Sequence, residues 1–482
     1  MAPASTDSTT APTPHVLVVP YPAQGHMIPL LDFAGILASR GARVTVAVTP
    51  ATAPLLAPLL SAHPDGAVRA LILPFPPHPA LPAGVESVKN LPPALLRRAH
   101  RRLRGAACPA RRLGPRPDDR VVAVIADHSC GWAQPMAADL GVKGIVFSPS
   151  GACGSAVLHS LFRRMPRRED EDDDESLIVF PDLPGAPAYP WRQLSVQYRA
   201  YREGDEISEA VRQNFLWNLQ ESSAFVCNTF RRLEERYLAA PLADLGYRRV
   251  RAVGPVAPDA DAAGGRGGET AVSVAELSAW LDRFADGSVV YISFGSMAVL
   301  PPPHAAALAA ALESTRVAFV WAAGPSAALL PDGFEARVAN GGRGLVIRGW
   351  APQLAALRHR AVGWFVTHCG WNSVLEAAAA GVPMLAWPMT ADQFVNARLL
   401  VDELGAAVPV SWGGLTATPS ADEVARVLDA AVGGNGGRQW GDVAARAKEL
   451  AAEAAEAVRE GGDSWREVEE LVRDLRELAR QQ

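Results

Sequence analysis

Two histidines stand where an apolar run gives way to a helix-like pattern, a place where backbone N–H groups and the positive end of a helix dipole gather. His26 closes "YPAQGH", directly after "HVLVVP" and before "MIPLLDFAGIL"; His368 opens "HCGWNS", between "VGWFV" and "VLEAAAAG". An imidazole titrates near neutral pH, so either could move a proton, hold a ligand or serve as a structural cap. His26 has a candidate partner in Asp127, which ends another apolar run, "VVAVIA". If both runs are strands of one parallel sheet, the two side chains emerge at its carboxyl edge. There a carboxylate on one imidazole nitrogen fixes the tautomer and leaves the other nitrogen free to take a proton. His368 has the helix start Trp371, Asn372 and Ser373 beside it, and Glu376 lies four residues after Asn372, on the same helical face. Such a place suits a phosphate, with ribose hydroxyls on the carboxylate one turn further. Plainer readings stay open on the residues alone: His26 as a loop or helix-start residue, Ser373 and Glu376 as a capping box, and His368 as a buried structural histidine. Trp350 taken singly reads as core, and Trp371 as either core or site.

Other chemistries lose support from what is missing. No GxGxxG follows a strand-like run, and GxxxxGK[ST], GxSxG and HExxH are absent, which argues against a Rossmann hydride transferase, a P-loop hydrolase and a serine hydrolase. The 5 cysteines form no CxxC pair, so a disulfide scaffold and structural zinc are not expected and a reducing cytoplasm fits. A net charge of −5 supplies no positive field for nucleic acid. No apolar run approaches the ~20 residues that span a bilayer. The expectation is a soluble, cytoplasmic protein whose partners are small molecules, without stable membrane insertion. The arginine-rich stretch 97–116 lacks interleaved aromatics and reads as a solvated helix and loop, and the acidic stretch 167–176 as an exposed, mobile loop.

These residues need elements to position them. With 482 residues the chain exceeds one compact core. Strand, turn, helix and strand run from His15 to Val48: "HVLVV" and "RVTVAV" flank a pattern that puts Leu30, Phe33, Ala34 and Leu37 on one face and Gly41 at a left-handed stop. Similar runs follow at 121–130 and 144–150, and the alternation restarts with "SVVYISFGS", "VAFVWAAG", "GLVIRGW", "AVGWFVT" and "VPMLAWP". Near 251 the composition turns rich in Gly, Ala, Pro and Asp. The expected layout is a disordered leader at 1–14, a Rossmann-like domain at 15–257, a linker at 258–274, a second Rossmann-like domain at 275–460, and a terminal helix at 461–482. That helix packs back toward the first domain and opens with Ser464 and Glu467 in capping-box spacing. The fold class is α/β, two doubly wound parallel sheets facing a cleft.

The segment from Trp350 to Gln393, "WAPQLAALRHRAVGWFVTHCGWNSVLEAAAAGVPMLAWPMTADQ", closely resembles, at full length and without a gap, the signature box of the plant secondary-product UDP-glycosyltransferases. Chain length, linker and the two alternating halves agree with that family, so the resemblance spans nearly everything after the leader. It implies the GT-B fold and a nucleotide-sugar donor. By position it implies that Trp350 stacks on uracil and that Ala351 and Gln353 engage base and ribose. Glu376 would hold the ribose hydroxyls, while His368, Trp371, Asn372, Ser373 and, in "SFGS", Ser296 surround the diphosphate. Asp392 and Gln393 would grip the sugar, and a closing Gln implies glucose rather than galactose.

The resemblance also makes His26 the general base and Asp127 its orienting acid, in an inverting transfer from UDP-glucose to a hydroxyl of a small phenolic acceptor such as a flavonoid or phenolic acid. UDP-glucose would be a substrate; no cofactor and no metal is implied, and a monomer is expected. The chain departs from the family after Asp127, where "DHSCGW" stands in place of aromatic or apolar residues and makes His128 a rival for handling the proton. The acceptor pocket is expected from loops near His26, residues 75–85, "FSPSGACG" and "PAYPW". The alternatives are a nucleotide-sugar epimerase-like enzyme or a noncatalytic UDP-sugar-binding protein on the same fold.

Overall fold

The apolar run before His26 is a strand covered on both faces: all five residues of β1 (His15–Val19) are buried. The helix Gln24–Ser39 lays Leu30, Phe33, Ala34 and Leu37 into the core shared with Val16 and Val18, and Gly41 follows at φ 84°. The computed structural model describes residues 13–74, 86–87, 120–239, 250–256, 270–296, 299–433 and 440–482. Most of the leader, the loop 75–85, the arginine-rich stretch and most of the linker therefore lie outside the described residues.

Further strands of the first half are β2 (Arg43–Val48), β3 (Val68–Ile72), β4 (Ala123–Asp127) and β5 (Lys143–Ser148). A short antiparallel hairpin, β6 (Leu177–Val179) and β7 (Ala188–Pro190), precedes β8 (Ala224–Cys227) and β9 (Val250–Ala252). The first sheet has the order β3-β2-β1-β4-β5-β8-β9 and is parallel throughout. The second half repeats the plan with β10 (Val289–Ser293), β11 (Ala318–Ala322), β12 (Gly344–Ile347), β13 (Val362–Thr367), β14 (Met384–Ala386) and β15 (Ala407–Pro409). Their order is β12-β11-β10-β13-β14-β15, again parallel. In each sheet the chain starts in the middle and reverses direction beside the first strand, at β1/β4 and β10/β13, where an α/β sheet opens a crevice for ligands.

The halves share one core. Ala152, Val157 and Phe162 of the helix Ala152–Arg164 cluster with Trp371, Leu375, Leu399 and Leu400 of the second half. Polar bonds stitch the same seam: Tyr237 donates to Glu403 at 2.6 Å and Arg192 to the Trp412 carbonyl at 2.6 Å.

The terminal helix Asp463–Gln481 packs on the first half, with Val468, Leu471, Val472 and Leu475 in the core of β1 and β2. Buried Arg251 ties it down through Glu467 at 3.3 Å, Glu470 at 3.5 Å and Asp474. The capping box expected at Ser464 and Glu467 does not form. The helix is capped by Gly462, so Ser464 falls inside the first turn, where it donates to the Gly254 carbonyl at 2.6 Å while Glu467 turns to Arg251. The acidic stretch is exposed as expected, but ion pairs restrain it: Arg168 meets Asp174 at 2.6 Å and Arg192 holds Glu175.

Candidate active site

Register places the catalytic candidates of the first half. β1 and β4 are neighbours with Val19 opposite Ala126, so the turn after β1 and the last residue of β4 share one edge. His26 Nδ1 bonds both carboxylate oxygens of Asp127, at 2.9 Å to Oδ2 and 3.1 Å to Oδ1. The Ser129 amide donates to Oδ1 at 2.7 Å and fixes the carboxylate plane. Asp127 is fully buried, whereas the His26 side chain is 29% exposed, so the second ring nitrogen, Nε2, is the one left for a substrate. Burial alone would lower the His26 pKa. The charge and hydrogen bond of Asp127, with a smaller contribution from Asp392, outweigh it and raise the pKa above the usual value. Burial works the other way on Asp127, yet its pKa is held below the usual carboxylate range by His26, His128 and the Ser129 amide. His128 cannot rival His26 for an acceptor proton, because it is buried beneath the site with Nδ1 3.3 Å from Ser148 Oγ. Ligand atoms of His26, Asp127 and His128 lie within 4.8 Å of one another, and the Nδ1–carboxylate bonds already join two of them.

The turn carrying His26 is also held from the other half. Pro29 lies inside the helix and has no N–H to give the carbonyl four residues back, that of Gly25. That carbonyl instead accepts Asn372 Nδ2 at 2.7 Å.

In the second half, β13 ends at Thr367 and the helix Trp371–Ala380 begins after Gly370, with Val374 making the first backbone bond back to Gly370. The amides of Trp371, Asn372 and Ser373 have no backbone acceptor among the described residues, so three donors open at the dipole's positive end. His368 stands beside them. A Cβ on Gly295 would come within 2.7 Å of its Nε2 and one on Gly370 within 2.4 Å, so both close approaches require glycine. Burial pushes the His368 imidazole down to about 4, which makes it a neutral donor. Its Nδ1 and Asn372 Oδ1 are buried without a partner among the described residues, as expected where a ligand completes a site. Ser296 occupies the turn after β10, next to Gly295.

Gln353, Ser373 and Glu376 converge: Gln353 Nε2 donates to Ser373 Oγ at 3.1 Å and to Glu376 Oε2 at 2.6 Å. The plainer capping box of Ser373 and Glu376 is therefore not what forms, since Gly370 caps the helix. Half-buried Trp350 and buried Ala351 lie between β12 and the helix Gln353–Leu357. Asp392 caps the helix Gln393–Arg398 with no bond from its carboxylate to a helix backbone N–H; the carboxylate accepts Asn396 Nδ2 at 3.2 Å instead, and Gln393 Oε1 holds the amides of Met389 and Thr390 at 2.9 and 3.0 Å. Cys369 and Ala391, non-glycine residues at φ 61° and 59°, immediately precede the two helix caps, Gly370 and Asp392, and mark backbone held in a strained form.

Trp371 divides between the core and the helix start. The Trp371 side chain leaves the helix start for the seam, where its indole N–H donates to the Asn228 carbonyl at 2.6 Å and its ring packs in the shared core. Only its amide stays with the other two. An indole is too large and apolar to remain at a helix start when an adjoining apolar seam can bury it. The meeting of Asn372 with Gly25 was not expected from the sequence, although Pro29, the sixth residue of the helix, signals an unpaired carbonyl.

Two doubly wound parallel sheets, one with an open helix start after β13 and the other with the His26–Asp127 pair at its carboxyl edge, are the architecture of the GT-B glycosyltransferases. Residues 253–432 match the family described as UDP-glucoronosyl and UDP-glucosyl transferase. The chain is 45% identical over 422 residues to "UDP-glycosyltransferase 89B2" of Stevia rebaudiana, covering 86% of this chain and 88% of that one. It is likewise 45% identical over 433 residues, 87% of this chain and 88% of the other, to "Flavonol 3-O-glucosyltransferase UGT89B1" of Arabidopsis thaliana. Among solved structures, Arabidopsis thaliana UGT89C1 complexed with UDP-L-rhamnose superposes with a TM-score of 0.78 at 35% identity, over 96% of this chain and 99% of that one. The chain belongs to the plant family 1 UDP-glycosyltransferases and is a UDP-sugar-dependent glycosyltransferase.

Two outcomes follow from this geometry. In Asp127→Asn the His26 pKa falls, because the charge that raised it is gone. The acidic limb of the pH profile of kcat/KM therefore moves to lower pH, while the plateau drops about 100-fold as the imidazolium loses its counter-ion. In Pro29→Ala a new N–H competes for the Gly25 carbonyl: Tm measured by calorimetry stays level or rises, since proline inside a helix costs about 3 kcal/mol, while kcat/KM falls roughly fivefold.

Proposed function

We propose that this enzyme transfers glucose from UDP-glucose to a hydroxyl of a small phenolic acceptor of flavonoid or phenolic-acid type, with inversion at the anomeric carbon. The observation that carries the reading is the buried Asp127 held on His26 Nδ1, which frees Nε2 to face an acceptor. In the step, Nε2 takes the acceptor's hydroxyl proton and the oxygen attacks the anomeric carbon. The bond from that carbon to the β-phosphate oxygen breaks on the opposite face, and UDP leaves with its electron pair. An α-linked donor thus gives a β-glucoside. Asp127 stabilises the imidazolium that forms.

The leaving diphosphate falls to the amides of Trp371, Asn372 and Ser373, the Asn372 side chain, neutral His368 and Ser296. Trp350 takes the uracil face, Ala351 and Gln353 the base and ribose, and Glu376 the ribose hydroxyls. Asp392 and Gln393 take the sugar hydroxyls, and the closing Gln supports glucose. With those donors in place the transfer needs no metal and no cofactor. A flavonol glucosyltransferase at 45% identity supports both donor and acceptor class. UDP-L-rhamnose, bound by a structural neighbour, is the second donor to weigh.

The test is a panel of UDP-glucose, UDP-galactose, UDP-rhamnose and UDP-glucuronate, each with flavonols and phenolic acids, with products read by mass spectrometry. The expected result is a gain of one hexose on a phenol, fastest with UDP-glucose. Rhamnosides as the main product, or UDP release without any acceptor adduct, would overturn the glucose-to-phenol reading.

A further inference from the structure

Across the seam from Asp392, the loop after β5 brings up Ser150, whose Oγ donates to Asp392 Oδ2 at 2.6 Å. Ser150 belongs to the first half, is 5% exposed, and is 242 residues from its partner. The same carboxylate oxygen accepts Asn396 Nδ2 at 3.2 Å, and Asn396 Nδ2 also reaches the Cys369 carbonyl at 3.0 Å, next to His368. Room for this meeting comes from Gly154: a Cβ there would stand 2.7 Å from Ser150 Oγ, 3.3 Å from Asn396 Oδ1 and 3.6 Å from Asp392 Cβ. Two donors on Oδ2 leave Oδ1 with no partner among the described residues and aim the carboxylate in one direction. The loop is itself braced: Ser148 Oγ bonds Ser155 Oγ at 2.6 Å and accepts the Ser150 amide at 3.2 Å.

We propose that Ser150 is a positioning residue for donor-sugar recognition, holding Asp392 from the opposite half so that the sugar site is complete only when both domains close on it. The inference rests on the reading that Asp392 grips sugar hydroxyls. With Oδ2 fixed, Oδ1 is set to accept from a pair of adjacent hydroxyls. Without Ser150 the carboxylate keeps only the longer, neutral amide bond from Asn396 and gains rotational freedom. The loss falls on the sugar and not on the nucleotide, because among the described residues the Ser150 hydroxyl bonds Asp392 and none of the groups assigned to the uracil, ribose or diphosphate. Loop 148–151 thus joins two tasks: Ser148 bonds His128, next to Asp127, and Ser150 bonds Asp392.

Ser150→Ala, Ser150→Thr, Asp392→Asn and the double variant Ser150→Ala/Asp392→Asn, each made in the full chain, test this. Titration calorimetry with UDP and steady-state kinetics with UDP-glucose and a phenol are the readouts. Ser150→Ala is expected to keep UDP affinity within about twofold while kcat/KM for UDP-glucose falls about tenfold, the scale of one charge-assisted hydrogen bond. Ser150→Thr restores most of it, and the double variant is no worse than Asp392→Asn alone, since Ser150 acts through Asp392. A large loss in Asp392→Asn with none in Ser150→Ala would overturn the proposal and leave the sugar-gripping reading intact. No loss in Asp392→Asn would overturn that reading. An equal fall in UDP affinity and in kcat/KM for Ser150→Ala would show a structural serine and overturn the positioning role.

Discussion

A carboxylate with no exposure to water must be paired, and everything at this site follows from how Asp127 is paired. Its oxygens take the Ser129 amide and the imidazole of His26, and the bond to His26 is possible only because β1 and β4 lie side by side with their ends level. A shift of one residue in that register would turn the neighbouring side chains to the other face and separate the pair. The raised pKa of His26 and its open Nε2 are consequences of this one contact.

The second half answers with complementary chemistry. Three free amides, a neutral histidine and an asparagine converge at one helix start, where they can neutralise a departing diphosphate. Each half also bonds the other beside these groups: Asn372 secures the turn of His26 through Gly25, and Ser150 secures Asp392. These bonds cross a seam whose apolar part, around Trp371, Phe162 and Leu400, is continuous core. The apolar contact fixes the distance between halves, and the polar bonds set the angles of the reacting groups.

Much of this was legible in the sequence. β1, β4, β10 and β13 are apolar on both faces, so they read as buried parallel strands, and the helix faces that cover them followed the expected spacing. The His26–Asp127 pairing followed from the carboxyl-edge rule. The three-residue strands β9 and β15 and the hairpin β6–β7 are too short to carry a period. Ser464 misled because a capping-box spacing looks the same two residues out of register, and the Gly254 carbonyl competed for its hydroxyl. The Trp371 indole, Ser150 and Asn372 have partners 143, 242 and 347 residues away, which no local pattern can name.

The most direct measurement separates the two halves of the site in one variant: His26→Ala, assayed for UDP binding by calorimetry and for single-turnover glycoside formation. UDP affinity within about twofold of the parent, together with a loss of turnover of at least about 100-fold, is the expected result. Turnover close to the parent's would contradict the assignment of His26 as the group that takes the acceptor's proton.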